Sequence, residues 1–339
     1  MIRAFVVFAL CATAASAETV RIATYHTELS RRGPALLLRD IARGQDDQVN
    51  AVLDIIEAAE ADVLLLLDVD WDFEGRAVMA LRAALSDRGL TYAHHVAPSP
   101  NSGRVSGFDL DGDGRLGRGR DALGYGRFMG DGGMVLLSRL PLGALTDHSD
   151  LLWVDRNPDA RDVLPPGAEA VVPLASVAQW VVPLSVGGHD LSLITLNANT
   201  PVFDGPEDRN GIRNADELGL VADLAGTVPV PVVLGRSNVD PFDGAGDRGA
   251  MADLLNHPAL QDPVPRGRGG GGDGHLGDPA LDTVAFEGPG PLRVDYVLPA
   301  ATLRVVDAGV IWPAPGDPLA EAAGAASRGR LVWVDIAFP

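Results

Sequence analysis

Polar residues stand directly after apolar runs of this chain, where buried strands would end. One run leads through Gly235 into Arg236 and Asn238, and another leads into Asp68 and Asp70. Carboxylates at such positions bind divalent cations and accept a proton from an attacking water. A hydrolase of this kind needs a carboxylate one residue after the glycine, but Arg236 is always protonated and only donates hydrogen bonds. Arg236 at this position therefore indicates either a different chemistry or the loss of a metal-dependent hydrolytic one.

A second acidic cluster has the spacing of a calcium-binding loop. Asp109, Asp111 and Asp113 occupy positions 1, 3 and 5 of an EF-hand-type loop, and Gly114 occupies position 6. The twelfth position is Arg120 instead of the bidentate glutamate. The cluster predicts either a structural calcium site or an acidic, glycine-rich turn, and the sequence favours neither.

Hydrophobic periodicity predicts the elements that would position these residues. The predicted helices are Asp46–Ala61, Gly75–Arg88 and Asn214–Ala225. The predicted strands are Val20–Thr24, Asp62–Asp70, Gly133–Leu140, Gln179–Val186, Asp190–Leu196, Val230–Leu234, Arg293–Pro299, Leu303–Val310 and Arg330–Phe338. Residues 97–133 and Arg266–Gly274 are rich in glycine and charge, which predicts surface loops. This order of elements indicates one α/β sandwich domain.

The first residues have the features of a cleaved secretory signal. Arg3 precedes a short apolar run, and the small residues Ala15, Ser16 and Ala17 follow it. The run is too short to span a bilayer, which needs about 20 apolar residues. We therefore expect residues 1–17 to be a signal peptide cleaved after Ala17, residues 18–339 to form the domain, and the protein to be secreted, either periplasmic or extracellular. The one cysteine, Cys11, is lost with the signal, so no disulfide is expected.

Composition limits the partners of the chain. The formal net charge is -19, and all 27 basic residues are arginine. Such a surface repels polyanions at long range, so nucleic acid is an unlikely partner and non-specific binding to it is disfavoured. Nothing in the sequence predicts a membrane span, and nothing identifies a partner.

Seven segments in order resemble the endonuclease/exonuclease/phosphatase superfamily, in a secreted bacterial branch. The segments are Arg21–Tyr25, Asp62–Leu66, Gly124–Gly130, Gly133–Pro141, Pro201–Gly211, Asn238–Gly244 and Leu292–Pro299. The resemblance implies an α/β fold, a four-layer sandwich of two packed mixed β-sheets flanked by helices. It also implies a phosphodiesterase site in which Mg²⁺ or Mn²⁺ is the expected cofactor.

The positions that hold the metal in this family are changed here. The family's Phe-Asn-Thr at the end of the first strand corresponds to Tyr25-His26-Thr27, so His26 replaces the asparagine. Imidazole is a poor ligand for Mg²⁺ but an acceptable one for Zn²⁺. The family's principal glutamate ligand corresponds to Asp68, which is one methylene shorter, and Leu67 replaces the neighbouring amide.

The positions that transfer protons in the family are changed as well. Asn197 stands at the catalytic histidine, and Arg236 stands at the aspartate of Gly-Asp-x-Asn, of which Asn238 remains. The family's Ser-Asp-His before the last strand corresponds to Ser327-Arg328-Gly329. Two carboxylates have become guanidiniums, which opposes a dication by a charge difference of about four units.

These changes lead to one hypothesis and two rivals. The hypothesis is a pseudoenzyme whose metal site is dismantled, in which Arg236 and Arg328 converge on the old pocket and pair with Asp68 or Asp70, or hold a small anion there. The first rival is an active divalent-metal hydrolase that uses Asp68 and His26 with a softer metal. The second rival is a calcium-dependent surface or matrix protein.

Overall fold

The chain forms layers of sheet and helix around two packed β-sheets. The computed structural model describes residues 19–270, 272 and 274–338, so the expected signal segment 1–17 lies outside the described residues. In the described part, the strands are β1 (Thr19–Leu29), β2 (Val63–Val69), β3 (His94–Val96), β4 (Gly133–Ser138), β5 (Thr146–Asp147), β6 (Trp180–Val186), β7 (His189–Asn197), β8 (Pro231–Arg236), β9 (Val284–Ala285), β10 (Pro291–Leu292), β11 (Asp295–Pro299), β12 (Arg304–Val310) and β13 (Val332–Ala337).

The helices lie between these strands. They are α1 (Leu36–Arg43), α2 (Asp47–Ala59), α3 (Arg76–Asp87), α4 (Trp153–Arg156), α5 (Arg209–Thr227), α6 (Arg248–Leu255) and α7 (Ala320–Ala326). Among the residues described, no helix combines the length and the apolar character that a membrane crossing requires.

The two large sheets are both mixed. One has the strand order β12-β13-β1-β2-β4-β3 and the other has the order β11-β8-β7-β6-β5. Each contains one parallel pair, β1 with β2 and β7 with β8, and the remaining pairs are antiparallel. The expected mixed sheets are therefore confirmed.

The apolar residues divide the molecule into four layers. Inward-facing side chains of both sheets, such as Leu65 and Val182, form one buried cluster between the sheets. The opposite face of the first sheet packs against α1, α2, α3 and α7, and that of the second packs against α5 and α6. This is the predicted four-layer sandwich, because each sheet buries one face on its partner and the other under helices.

Four helices, α1, α4, α6 and α7, were not predicted from periodicity, and α4 has only four residues. α1 and α6 have eight residues each and α7 has seven, so each offers only about two turns of pattern. In α7, the buried residues are Ala323 and Ala326, which pack in the cluster that also contains α2. Small side chains give a weak apolar signal, and tertiary packing supplies most of the stability of so short a helix.

Candidate functional site

The carboxyl ends of the two parallel strand pairs define a cleft edge. His26 on β1 pairs with Leu67 on β2, directly before Asp68, and Asn197 on β7 pairs with Arg236 on β8. Residues 327–329 join this edge because Ser327 Oγ donates to the carbonyl oxygen of His26 at 2.7 Å. The fold therefore gathers at one edge the residues that the sequence placed at strand ends.

Arg236 is the buried cation of this cleft. Its side chain donates from Nε to Asp295 Oδ1 and from Nη2 to Asp295 Oδ2, both at 2.8 Å. Arg236 is 4% exposed and Asp295 is 0% exposed. The two residues are opposite each other in the β8–β11 ladder. The expected pairing of Arg236 with Asp68 or Asp70 is therefore wrong, because a carboxylate on the adjacent strand supplies a planar bidentate partner.

The Arg236 guanidinium extends towards Gly329, which the sequence resemblance matches to the family's histidine. A Cβ atom added at Gly329 would lie 3.2 Å from Arg236 Nη2 and 2.6 Å from the carbonyl oxygen of His26. A distance of 2.6 Å to a backbone atom leaves no room for a side chain. Glycine at position 329 and arginine at position 236 are therefore sterically matched.

Arg328 lies at the rim instead of in the pocket. Its Nε donates to Glu28 Oε1 at 2.6 Å, and its side chain is 56% exposed. Its guanidinium carbon lies 5.7 Å from the ring centroid of Phe286. The expected pairing of Arg328 with Asp68 or Asp70 is also wrong, because Arg328 pairs with Glu28 near the end of β1 instead.

Asp68 is the carboxylate that the sequence resemblance predicts at the family's metal position. It adopts φ 58°, a left-handed conformation that costs a non-glycine residue energy, at a point where the β1–β2 and β2–β4 registers shift. Burial raises the pKa of Asp68 to about 6, although a hydrogen bond from Ser30 and the charge of Arg236 lower it. Asp68 is therefore a stronger base than an exposed carboxylate, but a smaller fraction of it is ionised near neutral pH.

Asp70 and Asp131 are acidic neighbours of Asp68. Burial raises the pKa of Asp70 to about 7, against hydrogen bonds from the backbone N–H groups of Arg31 and Gly132. Asp131 is 5% exposed and accepts hydrogen bonds from the Arg127 Nε and Nη2 at 2.7 and 2.8 Å. Both carboxylates thus have partners within the protein.

His26 is held as a neutral imidazole. Burial lowers its pKa well below the usual range, and the charges of Arg236 and Arg328 lower it further. Its Nδ1 atom is buried and has no hydrogen-bond partner in the described part of the chain. A neutral imidazole with an unpaired nitrogen can bind a borderline metal, but its lowered pKa disfavours protonation.

The two asparagines have different surroundings. Asn238 has φ 58°, and its Nδ2 donates to the carbonyl oxygen of Ala198 at 2.7 Å. That bond ties the loop after β8 to the end of β7. Asn197 is half-buried at the end of β7, and its backbone carbonyl accepts a long 3.5 Å bond from Ser176.

The donor set of this cleft does not fit Mg²⁺ or Mn²⁺. Mg²⁺ is usually bound through one or two ionised carboxylates and water, but the pKa of Asp68, the one carboxylate at the expected position, is raised and Arg236 adds a buried positive charge that acts on it. Among the residues that the structure describes, the only group of three or more acidic, histidine or cysteine side chains close enough to share an ion lies elsewhere. No catalytic step through a metal follows from this geometry.

That other group lies in the predicted calcium loop, but it contains Asp121 in place of Asp113. Asp109, Asp111 and Asp121 place ligand atoms within 4.8 Å of one another, and Asp113 is not among them. The Asp113 backbone N–H donates to Asp109 and Asp111, while its own carboxylate accepts from Arg115. The turn therefore directs Asp113 away and the buried Asp121 inward. Calcium binding stays a prediction.

Sequence reasoning missed Glu28 and Asp131, and it interpreted Asp295 as structural without identifying its partner. Asp295 lies on a predicted strand, but its role depends on the β8–β11 register, which no single strand reveals. Its one signal in the sequence is its charge within an otherwise apolar strand, because a fully buried carboxylate needs a partner.

Comparisons with known proteins agree with the fold. Residues 38–328 match the sequence profile described as Endonuclease/Exonuclease/phosphatase family. No curated protein sequence matches the chain. An endonuclease/exonuclease/phosphatase structure from Beutenbergia cavernae is 18% identical, with a TM-score of 0.57 over 94% of this chain and 72% of that one.

Two further solved structures are similar in fold. The 3'-5' exonuclease from Neisseria meningitidis is 16% identical, with a TM-score of 0.52 over 94% of this chain and 100% of that one. Sphingomyelinase C from Streptomyces griseocarneus is 17% identical, with a TM-score of 0.50 over 94% of this chain and 99% of that one. At such identities the likeness concerns the fold alone.

We predict that Asp295→Asn destabilises the protein by about 3–5 kcal/mol, because it leaves the Arg236 charge buried without a carboxylate. Urea unfolding followed by circular dichroism measures the loss. The double variant Arg236→Met, Asp295→Leu should recover most of it, since neither charge is then buried. The matched control is Glu28→Gln in the half-exposed pair with Arg328, which should cost about 1 kcal/mol or less. Equal losses for Asp295→Asn and Glu28→Gln would contradict the assignment.

We also predict that Asp70 makes the fold less stable as the pH rises. The folded protein raises the pKa of Asp70 to about 7, whereas an unfolded aspartate titrates near pH 4. The folded state therefore binds this proton more tightly, and that contribution is lost between about pH 4 and pH 7. The decrease in the free energy of unfolding between pH 5 and pH 8 should be smaller for Asp70→Asn than for the wild type, by on the order of 1 kcal/mol or more. If urea unfolding shows that the free energies of unfolding of the two proteins change equally with pH, the prediction is wrong.

Proposed function

This chain belongs to the endonuclease/exonuclease/phosphatase family, and from that premise we propose that it is an exported member without hydrolytic activity. Its phosphodiesterase site is dismantled, and the scaffold serves as a binding or structural protein. The observation that carries this proposal is the buried ion pair between Arg236 and Asp295, with both oxygens of Asp295 engaged. The pair occupies the strand end where the family positions its water-activating aspartate.

Charge is the first reason that this pair opposes metal-dependent catalysis. A dication a few ångströms from a buried guanidinium meets a repulsion of several kcal/mol even at an effective dielectric constant of about 20. Arginine cannot relieve that repulsion by losing its proton. Asp295 neutralises the charge of Arg236. Both of its carboxylate oxygens then accept hydrogen bonds from Arg236, so neither is left free to bind a metal ion.

The absence of a proton-transfer group at the family's positions is the second reason. Asn197 does not titrate, and Gly329 has no side chain. A Cβ atom at position 329 would approach the carbonyl oxygen of His26 to 2.6 Å, so Gly329→His does not restore the family histidine without a backbone shift. The loss of the histidine is thus built into the backbone packing at this edge.

A small anion in the old cleft has limited support. Arg236 is paired with Asp295 and Arg328 is paired with Glu28, so an anion would have to compete with a carboxylate for either guanidinium. Export rests on the N-terminal segment of the sequence, and the formal charge of -19 supports a partner other than nucleic acid.

One observation favours an alternative function, an active hydrolase with an altered site. Asp68 has a pKa of about 6, and His26 is neutral with an unpaired Nδ1. A group that titrates near the operating pH can serve as a general base, and a neutral imidazole suits Zn²⁺ better than Mg²⁺. In this alternative, Asp68 and His26 act together with a softer metal.

The two proposals are separated by a hydrolysis assay. The secreted chain should show no turnover of bis(p-nitrophenyl) phosphate or linear DNA above buffer with Mg²⁺, Mn²⁺ or Zn²⁺, because no described residue replaces the lost aspartate. The Neisseria meningitidis 3'-5' exonuclease serves as the positive control. Turnover that Asp68→Ala abolishes and Asp113→Ala preserves would establish the alternative and overturn the non-hydrolytic proposal.

Metal dependence of stability gives a second, independent readout. A ligand that binds only the folded state raises the thermal unfolding midpoint. Because we expect no metal to bind in the cleft, adding millimolar Mg²⁺ or Mn²⁺ after dialysis against a chelator should leave the midpoint unchanged. A rise in the midpoint that Asp68→Ala removes would show that the cleft still binds metal.

A further inference from the structure

A buried histidine nitrogen without a hydrogen-bond partner lies next to a buried carboxylate. His275 Nε2 is enclosed, and no hydrogen bond to it is formed within the described part of the chain. It lies 3.3 Å from Asp282 Oδ1, and the side chains of these two residues are 8% and 1% exposed. Buried polar atoms in native proteins are nearly always bound to a partner, so this nitrogen calls for an explanation. The function proposed above does not use the pair.

A second carboxylate determines which ring nitrogen carries the proton of the neutral histidine. Asp243 Oδ2 lies 3.3 Å from His275 Nδ1. Burial opposes the ionisation of Asp243, but hydrogen bonds from the backbone N–H groups of Gly277 and Leu276 hold its pKa below the usual range. Asp243 is therefore ionised at neutral pH and favours the tautomer with its proton on Nδ1. In that tautomer the lone pair of the ring is on Nε2.

The separation of Nε2 from Asp282 is that of two ligands of one metal ion. With the proton on Nδ1, the Nε2 lone pair and the Asp282 Oδ1 atom lie 3.3 Å apart with no hydrogen atom to join them. Two atoms that bind one tetrahedral Zn²⁺ at about 2.0–2.1 Å are themselves about 3.3 Å apart. A cation bound by both atoms would give Nε2 a partner and offset the charge of Asp282.

The donor types indicate which cation fits. An imidazole nitrogen together with a carboxylate oxygen suits Zn²⁺, whereas Mg²⁺ and Ca²⁺ prefer oxygen ligands alone. Histidines that bind a metal commonly have a carboxylate at the other ring nitrogen, which fixes the tautomer and the orientation of the ring. Asp243 has that position relative to His275. The three side chains therefore have the chemistry of a zinc site with an outer carboxylate.

Glycine at position 277 leaves space beside the unpartnered nitrogen. A Cβ atom added at Gly277 would lie 3.5 Å from His275 Nε2 and 3.4 Å from Asp243 Oδ2. Because no side chain fills this space, a water molecule or an oxygen atom of a ligand can approach Nε2 from that side. Such oxygens can complete the coordination of an ion that has only two protein ligands.

The site joins two segments at the edge of the cleft. Asp243 lies in the loop after β8, and His275 and Asp282 lie in the segment before β9. Asp282 precedes Thr283, whose hydroxyl accepts the backbone N–H of Asp295, the partner of Arg236. An ion bound here would tie the loop after β8 to the strand that carries Asp295.

We propose that His275 and Asp282 bind Zn²⁺, with Asp243 as the outer carboxylate that orients the imidazole. The two protein ligands leave coordination positions for water or for an oxygen of an anionic ligand. The site uses none of the residues that the family's metal positions correspond to, so it is independent of the loss of hydrolytic activity proposed above.

Calorimetric titration of the chelator-treated protein with zinc chloride at neutral pH tests the site. The wild type should bind Zn²⁺, and His275→Gln and Asp282→Asn should each weaken the binding about tenfold or more, because each removes one of two protein ligands. Asp243→Asn keeps both ligands and should weaken the binding about 10–100-fold through the orientation of the ring. Circular dichroism checks that each variant is folded.

Two other histidines separate this site from other modes of zinc binding. His95→Gln, at an exposed histidine on β3, is the matched control and should bind Zn²⁺ as the wild type does. Nitrogen NMR of the wild type needs no variant to fold, and Zn²⁺ should shift the Nε2 resonance of His275. The proposal is overturned if the wild type binds no Zn²⁺, if His275→Gln binds it as tightly as the wild type, or if His26→Gln abolishes the binding. The last result would place the ion in the cleft and favour the active hydrolase.

Discussion

The ion pair between Arg236 and Asp295 is the interaction on which the cleft depends. A guanidinium that is 4% exposed must have a charged partner, and the β8–β11 register places Asp295 directly opposite it. Once Arg236 lies along this ladder, its outer nitrogen occupies the space beside Gly329. This nitrogen and the carbonyl oxygen of His26 together limit the space for a side chain at position 329.

The rest of the cleft is consistent with a site that is neutralised internally. The charges of Arg236 and Arg328 add to burial in keeping His26 neutral, and burial raises the pKa of Asp68 and Asp70 towards neutrality. The raised pKa values of Asp68 and Asp70 reduce the negative charge that a dication needs. Arg127 binds Asp131, and Glu28 binds Arg328, so the remaining charges are paired as well.

Surface loops around this edge are tied down by aspartates that accept backbone N–H groups. Asp243 binds residues 276 and 277, Asp240 binds the backbone of Arg293, and Asp121 binds that of Leu110. Such bonds let glycine-rich segments adopt one conformation without regular secondary structure. The acidic composition of the chain is thus used in part to order its loops.

The sequence by itself determined the layers and the strand ends. The alternation of apolar runs with segments of helical periodicity predicted most strands of both sheets. The motifs that resemble the family singled out His26, Asp68, Asn197, Arg236 and residues 327–329. It did not determine the partners of Arg236 and Arg328, the exchange of Asp113 for Asp121, or the enclosure of His275. Those contacts join residues far apart in the chain, and they depend on strand register and turn direction, which only the packed tertiary structure decides because a shift of one residue redirects every side chain.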